Sequence, residues 1–259
     1  MNAWLQALPA FLLVLCRISS FFVVAPVFGS RNVPAAFKIG LAVFVSFLVF
    51  LTVGFDASVA FDARYPLAVI REALAGLLLG FAAYLFFAIV QTSGAFIDLQ
   101  LGFGLANIVD PLSGAAMPVM GNLKFMTMLL VFLAVNGHHY LLGAIMDSYK
   151  WLPLDNDFFR TVYEGRLTAF LTETFAATFL MALQIAAPIL AAVFLTDVGL
   201  ALLARTAPQY NVFVVGIPIK ILVGLSMLVL LMPGFGVLFR LVFDRMFQAL
   251  KQLLAIAGA

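Results

Sequence analysis

Long apolar runs alternate with short polar or breaker-rich stretches along the whole chain. A hydrocarbon layer about 30 Å thick asks for roughly 20 apolar residues per crossing helix. Runs of that kind lie at residues 4–28, 39–55, 73–90, 125–146, 174–196 and 221–239, two of them short. Unpaired backbone is costly in lipid, and the alternating ten-residue pattern of a membrane barrel is absent. The pattern predicts an all-α, polytopic membrane fold of about six hydrophobic segments. The first run lacks a basic stretch ahead of it and exceeds a signal core in length, so it reads as a membrane segment rather than a cleaved leader.

Between and after these runs the pattern changes. Residues 147–173 are rich in acids and aromatics and read as one aqueous loop. In the tail, Phe243, Met246, Phe247, Leu250, Leu253 and Leu254 recur at steps of three and four, opposite Arg240, Asp244, Gln248 and Lys251. That is an amphipathic helix for a membrane surface or a partner helix. Pro26 and Gly29 end the first run, while Pro188 in the fifth and "MPGFG" at 232–236 in the last mark either true breaks or the ordinary kinks of membrane helices. Ala73, Gly76, Gly80 and Ala83 form a small-residue stripe suited to close helix contact. A faint echo between the stretches around Lys38 and Lys220 does not establish an internal repeat.

Composition sharpens the assignment. Hydrophobic residues are 65% of 259 and charged residues 10%, where a soluble domain carries about 25% charged residues. The chain cannot solvate itself. A formal net charge of +2 gives no reason to expect a nucleic-acid partner. Cys16 is the single cysteine, which excludes an intrachain disulfide. With six crossings, basic residues divide eight to five in favour of the side holding both termini, a weak lean toward cytoplasmic termini.

Catalytic chemistry has little to stand on. His138 and His139 are adjacent, so on a helix they point about 100° apart and cannot make the i, i+4 pair of a zinc site. "GFGLAN" departs from a dinucleotide loop, and no phosphate loop, nucleophile elbow or paired acids stand out. No catalytic residue, cofactor or metal is expected. Ionisable or polar groups at membrane depth remain functional candidates: Arg17, Asp98, His138 and the weaker Gln184. Arg17 has bland readings too, as the mate of an acid on a partner subunit or a side chain reaching an interface. A rival reading makes Arg17, Asp98 and His138 the binding cluster of a secondary transporter or ion-coupled channel. An isolated membrane scaffold is a third.

The stretch at 101–122, "LGFGLANIVDPLSGAAMPVMGN", is unusual. Glycines and prolines make it bendable, yet Phe103, Ile108, Met117 and Met120 keep it apolar. Ahead of it, Gln91, Gly94, Asp98 and Gly102 place polar or small side chains on one helix face. Such a face suits a pore axis or a tightly packed neighbour. The stretch itself suits either a plug in a conduit or a re-entrant connector, and the residues alone do not choose.

"ARTAPQYNVFVVGIPIKILVGL" at 204–225 resembles the signature region of the FliR/SctT family of type III export-gate subunits. "RISSFFVVAPVFGSRNVPAAFKIGLA", "GFGLANIVDPLSGAAMPVMGN" and "FLAVNGHHYLL" match the same family in order, over essentially the whole chain. The resemblance leans to the flagellar branch. It implies a non-enzymatic subunit that assembles with FliP and FliQ into a gate for unfolded flagellar proteins, with FlhB at the entrance. It also implies a place among membrane lipid, in the bacterial cytoplasmic membrane within the basal body. Residues 1–173 would be FliP-like and 174–259 a FliQ-like hairpin with its tail, together one export-gate domain. The resemblance further implies a plug near 103–120 involving Phe103, Asn107, Ile108, Asp110, Pro111, Met117 and Met120. Pro208, Asn211, Gly216, Pro218 and Lys220 would form a rigid turn at an intersubunit contact.

Overall fold

The computed structural model describes residues 2–30, 33–53, 61–103, 118–154, 158–209 and 211–258. Among them every regular element is a helix: α1 Asn2–Val24, α2 Ala35–Val53, α3 Tyr65–Leu101, α4 Val119–Ala134, α5 Gly137–Trp151, α6 Phe158–Tyr163, α7 Arg166–Thr206, α8 Val212–Leu231 and α9 Phe235–Ala257. Five helices are long and apolar enough to cross a membrane, with a sixth crossing if α4 and α5 count as one broken span. The expected all-α polytopic membrane fold is what forms.

Several boundaries differ from those the apolar runs predict, each for a local reason. The fourth run is broken, because Asn136 takes the left-handed conformation (φ 58°, ψ 27°) just before Gly137; asparagine is among the few residues that tolerate it. Pro188 does not interrupt α7, which runs 41 residues through it. A proline deletes one backbone donor, here the bond to the Gln184 carbonyl, and membrane helices absorb that loss. "MPGFG" shrinks to one 3₁₀ turn, Met232–Gly234. The stretch 147–173 is partly helical: α5 continues to Trp151, α6 follows, and α7 opens at Arg166. In the bend before α7, Glu164 accepts from Arg160 at 2.9 Å and meets Arg166 at 2.8 Å. The Arg160 hydrogen bond, with the charge of Arg166 behind it, draws the Glu164 carboxyl below the ordinary glutamate range.

After α1 the chain turns sharply. Phe28 N–H donates to the Pro26 carbonyl at 2.9 Å around Val27, whose φ is 71°. That bond and that φ describe a γ-turn of the strained kind, rare for a β-branched residue. Stacking of Phe28 on Phe22, centroids 4.7 Å apart, holds it.

The chain forms two compact units. The first comprises Met1–Phe86, Val135–Thr174 and Phe243–Ala259. Its core is built from Leu13, Ile18 and Phe21 of α1, Leu79 and Ala83 of α3, Leu141 and Ile145 of α5, and Met246, Leu250 and Leu253 of α9. The small-residue stripe works as expected: a Cβ on Gly80 would sit 2.9 Å from the Phe21 carbonyl, and one on Gly76 would strike the backbone of Arg17. The tail buries its predicted apolar face within this unit, and Phe247 packs on Tyr140 with centroids 5.5 Å apart.

The second unit comprises Phe87–Ala134 and Phe175–Val242. Its centre is a cluster of Ile97, Leu101, Met120, Ala186, Ile189, Val193 and Leu228. Phe132 meets Phe87 edge-on at 5.1 Å, and Phe96 meets Phe179 at 5.7 Å.

Candidate functional site

The unusual stretch at 101–122 is bounded by described residues on both sides. Leu101 and Met120 belong to the same buried cluster, and Phe103 packs against it half-buried. Gly102, at φ 88°, turns the chain out of α3 in a conformation that glycine takes at no cost. Asn107, Ile108, Asp110, Pro111 and Met117 lie outside the described residues.

The re-entry is built around Asp98. Any helix begins with backbone donors that lack intrahelical acceptors. The bond from Asn122 N–H to the Pro118 carbonyl, 2.8 Å, makes Pro118 the capping position of α4, and proline has no side-chain acceptor to offer. Asp98, on α3, takes that role. Met120 N–H donates to its two carboxylate oxygens at 3.1 and 3.0 Å, and Gly121 N–H donates at 3.4 Å. The carboxylate also faces the positive end of the α4 dipole. It can reach because the helices touch: a Cβ on Gly94 would collide with Gly121 backbone, and one on Gly121 would lie 2.9 Å from the Gln91 carbonyl. The face formed by Gln91, Gly94 and Asp98 is thus a close helix–helix seam.

Burying a carboxylate is costly unless its charge is balanced. Lys124, one turn into α4 and also buried, lies within coulombic reach of Asp98. Its ammonium donates to Ser93 Oγ at 3.3 Å and sits 5.5 Å from the Phe235 ring centroid. Sequence reading of this site found Asp98 but missed Lys124 and Ser93. The available signal for Lys124 was its position as an ionisable group at the edge of the fourth apolar run.

Arg17 has a different setting, in the first unit. Its Nε donates to Glu72 at 2.5 Å, one terminal nitrogen donates to Ser148 Oγ at 3.2 Å, and the other to the Leu152 carbonyl at 2.8 Å. The guanidinium lies 4.1 Å from the Tyr149 ring centroid, and Tyr149 donates to the Val14 carbonyl at 3.2 Å. Arg17, Glu72, Ser148 and Tyr149 are all buried. The acid that Arg17 requires is therefore in its own chain, and the knot ties α1, α3 and α5 together. His138 is half-buried beside His139, centroids 4.1 Å apart, with its Nδ1 unpaired. Arg17 engages Glu72, Ser148 and Leu152, Asp98 engages the amides of Met120 and Gly121, and His138 lies against His139. Gln184 is on an exposed face of α7. Among the described residues, no group of three His, Cys, Asp or Glu is placed to hold a metal ion.

The signature residues near 208–220 serve the α7–α8 hairpin. Pro208 is exposed in the link after α7, and Asn211 caps α8 by accepting from Val214 N–H at 3.4 Å. Gly216 is buried where a Cβ would come 3.2 Å from Leu200 of α7. Pro218 lies within α8 on an exposed side. Lys220 pairs with Asp197 across the hairpin, and Asp197 also accepts from Gln100 at 3.2 Å. Asp197 and Lys220 fall just beyond the apolar runs read from the sequence, so the fifth and sixth segments look uncharged until the full helix lengths are known.

A family model described as bacterial export proteins, family 1, matches residues 8–246. The chain is 43% identical to the flagellar biosynthetic protein FliR of Bacillus subtilis, over 100% of this chain and 99% of that one. It is 32% identical to the protein of the same name from Escherichia coli, over 97% and 95%. The Yop proteins translocation protein T of Yersinia pestis is 31% identical, over 87% and 86%.

Proposed function

The chain belongs to family 1 of the bacterial export proteins, and from that premise we propose that it is the FliR-type subunit of a flagellar type III export gate. It is a multi-pass membrane protein, and the reading places it in the bacterial cytoplasmic membrane within the flagellar basal body. There it joins FliP and FliQ, with FlhB at the entrance, in a channel that passes unfolded flagellar proteins. Its part is structural, and the energy for export comes from other components. The observation that carries this reading is the 43% identity to a FliR protein over 100% of this chain and 99% of that one, against 31% for the Yop proteins translocation protein T.

Within that gate, the apolar stretch at 103–120 seals the channel at rest and yields to a passing polypeptide. Two features support this. The stretch leaves and rejoins the fold at one buried cluster through Phe103 and Met120, and its side chains combine greasiness with the adaptable thioethers of Met117 and Met120. The hydrophobic grip of such a constriction would suit any extended chain. Pull-down of the tagged chain in mild detergent is expected to bring FliP and FliQ with it; a homogeneous monomer or homodimer would overturn the assignment. Deletion of residues 110–117 is expected to raise ion leakage through the assembled complex. Unchanged leakage would remove the sealing role and leave the assembly intact as a proposal.

A further inference from the structure

Gln184 stands apart from the other polar groups along the apolar length of α7. Between Phe175 and Leu203 the polar side chains are Thr178, Gln184, Thr196 and Asp197. Thr178 donates to the Phe175 carbonyl at 2.8 Å and Thr196 to the Ala192 carbonyl at 2.9 Å, each turning back on its own helix. Asp197 pairs with Lys220. The Gln184 amide faces outward and finds no partner among the described residues. Four residues on, Pro188 has no N–H for the Gln184 backbone carbonyl. One turn of helix therefore holds an unmatched amide and an unmatched carbonyl.

An amide without a partner is costly in an apolar setting. Gln184 lies about 13 Å along the helix from Phe175 and farther from Leu203, too deep for its short side chain to reach either end of the greasy flank. Leu180, Leu183 and Phe194 are exposed around it, whereas Ala187 and Ala191 on the same side are small and exposed. Helices associate within membranes through this combination, small residues for close approach and a polar side chain for a bond across the seam. We propose that the Gln184–Pro188 turn of α7 is an intramembrane docking point for a helix of another chain. That helix brings a side chain able both to donate and to accept: serine, threonine, asparagine or glutamine. A single hydroxyl suffices, its O–H donating to the Gln184 carbonyl while its oxygen accepts from the Gln184 amide. Acyl chains have no donor, and the apolar rim disfavours water. The inference rests on the gate reading for the source of the helix, a neighbouring gate subunit.

Two measurements on the full chain test this. A photoreactive benzoylphenylalanine in place of Leu183 is expected to form an adduct with another gate subunit, mapped by mass spectrometry to a helix holding one of those four residues at the attachment point. Gln184→Met keeps the length of the side chain without its hydrogen bonds, and Gln184→Asn keeps an amide. The free chain should melt at the same temperature in all three forms, since the amide touches nothing in its own chain. A hydrogen bond between membrane helices is worth roughly 3- to 30-fold in dissociation. Release of Gln184→Met from the assembled complex is expected to rise by about that factor, with Gln184→Asn between it and wild type. Unchanged release of Gln184→Met would overturn the proposal, as would a lower melting temperature of the free variant, which would make the role internal. An adduct only with lipid, with an exported polypeptide or with a second copy of this chain would overturn it too. If the wild-type chain does not assemble with other gate subunits, the gate reading fails, and the Leu183 adduct formed in native membranes still decides whether a helix of another chain lies there.

Discussion

The Arg17 guanidinium closes on the Glu72 carboxylate at 2.5 Å, and solvent reaches neither side chain. Such a pair adds little compared with apolar residues of equal volume, but removing Arg17 leaves the buried Glu72 with the longer contact to Arg71, 3.6 Å, in place of its charge-assisted bond. Arg17→Met is expected to lower the stability of the chain by about 3–5 kcal/mol, and Arg17→Met with Glu72→Leu to recover much of it. Thermal melting in detergent reads both. A single variant within about 1 kcal/mol of wild type would show that the knot is not energetically closed.

The Gly94–Gly121 seam makes a sharper steric prediction. Gly94→Ala puts a methyl into backbone, which can move only by separating α3 from α4, at an expected cost of about 1–3 kcal/mol. Gly143, inside α5, has open space at its Cβ position. Gly143→Ala is expected to be neutral or to gain up to about 1 kcal/mol from helix propensity. Equal melting shifts for the two variants would contradict the seam.

At the hairpin, Asn211→Ala removes the cap on α8 and is expected to cost about 0.5–1 kcal/mol. Asn211→Ser keeps an oxygen acceptor and should stay close to wild type. If alanine and serine melt together, the bond to Val214 contributes nothing.

The tail offers a contrast along one helix. Met246 is fully buried and Gln248, two residues on, is exposed. Met246→Asp is expected to unfold the first unit under conditions where Gln248→Ala changes stability by no more than about 0.5 kcal/mol. Limited proteolysis distinguishes them; similar resistance would mean that the tail does not pack as described.

The helices and the tail's buried face were legible in the sequence because each follows from periodic apolarity, a local property. The pairing of Arg17 with Glu72 was not, since 55 residues separate them and either could have met another acid or base. Asp98 was visible as a polar group at membrane depth, but its partners are backbone amides, which every residue but proline carries. The helix break at Asn136 did have a signal, the Asn-Gly pair inside "AVNGHH", which the surrounding apolar run outweighed. Pro188 is the opposite case: it removes one backbone donor without ending the helix, which a proline in a sequence does not by itself decide. The family was legible because several unusual stretches agree in order, and the chain matches two FliR proteins over 100% and 97% of its length.

Helix α7, at 41 residues, is about 60 Å long, roughly double the thickness of the oil layer. Its outward-facing greasy side chains run from Phe175 to Leu203, about 40 Å. Neither water nor acyl chains suit that flank from end to end. In the gate proposed above, neighbouring subunits would cover that flank, and the abundance of this chain in a cell is then expected to track theirs.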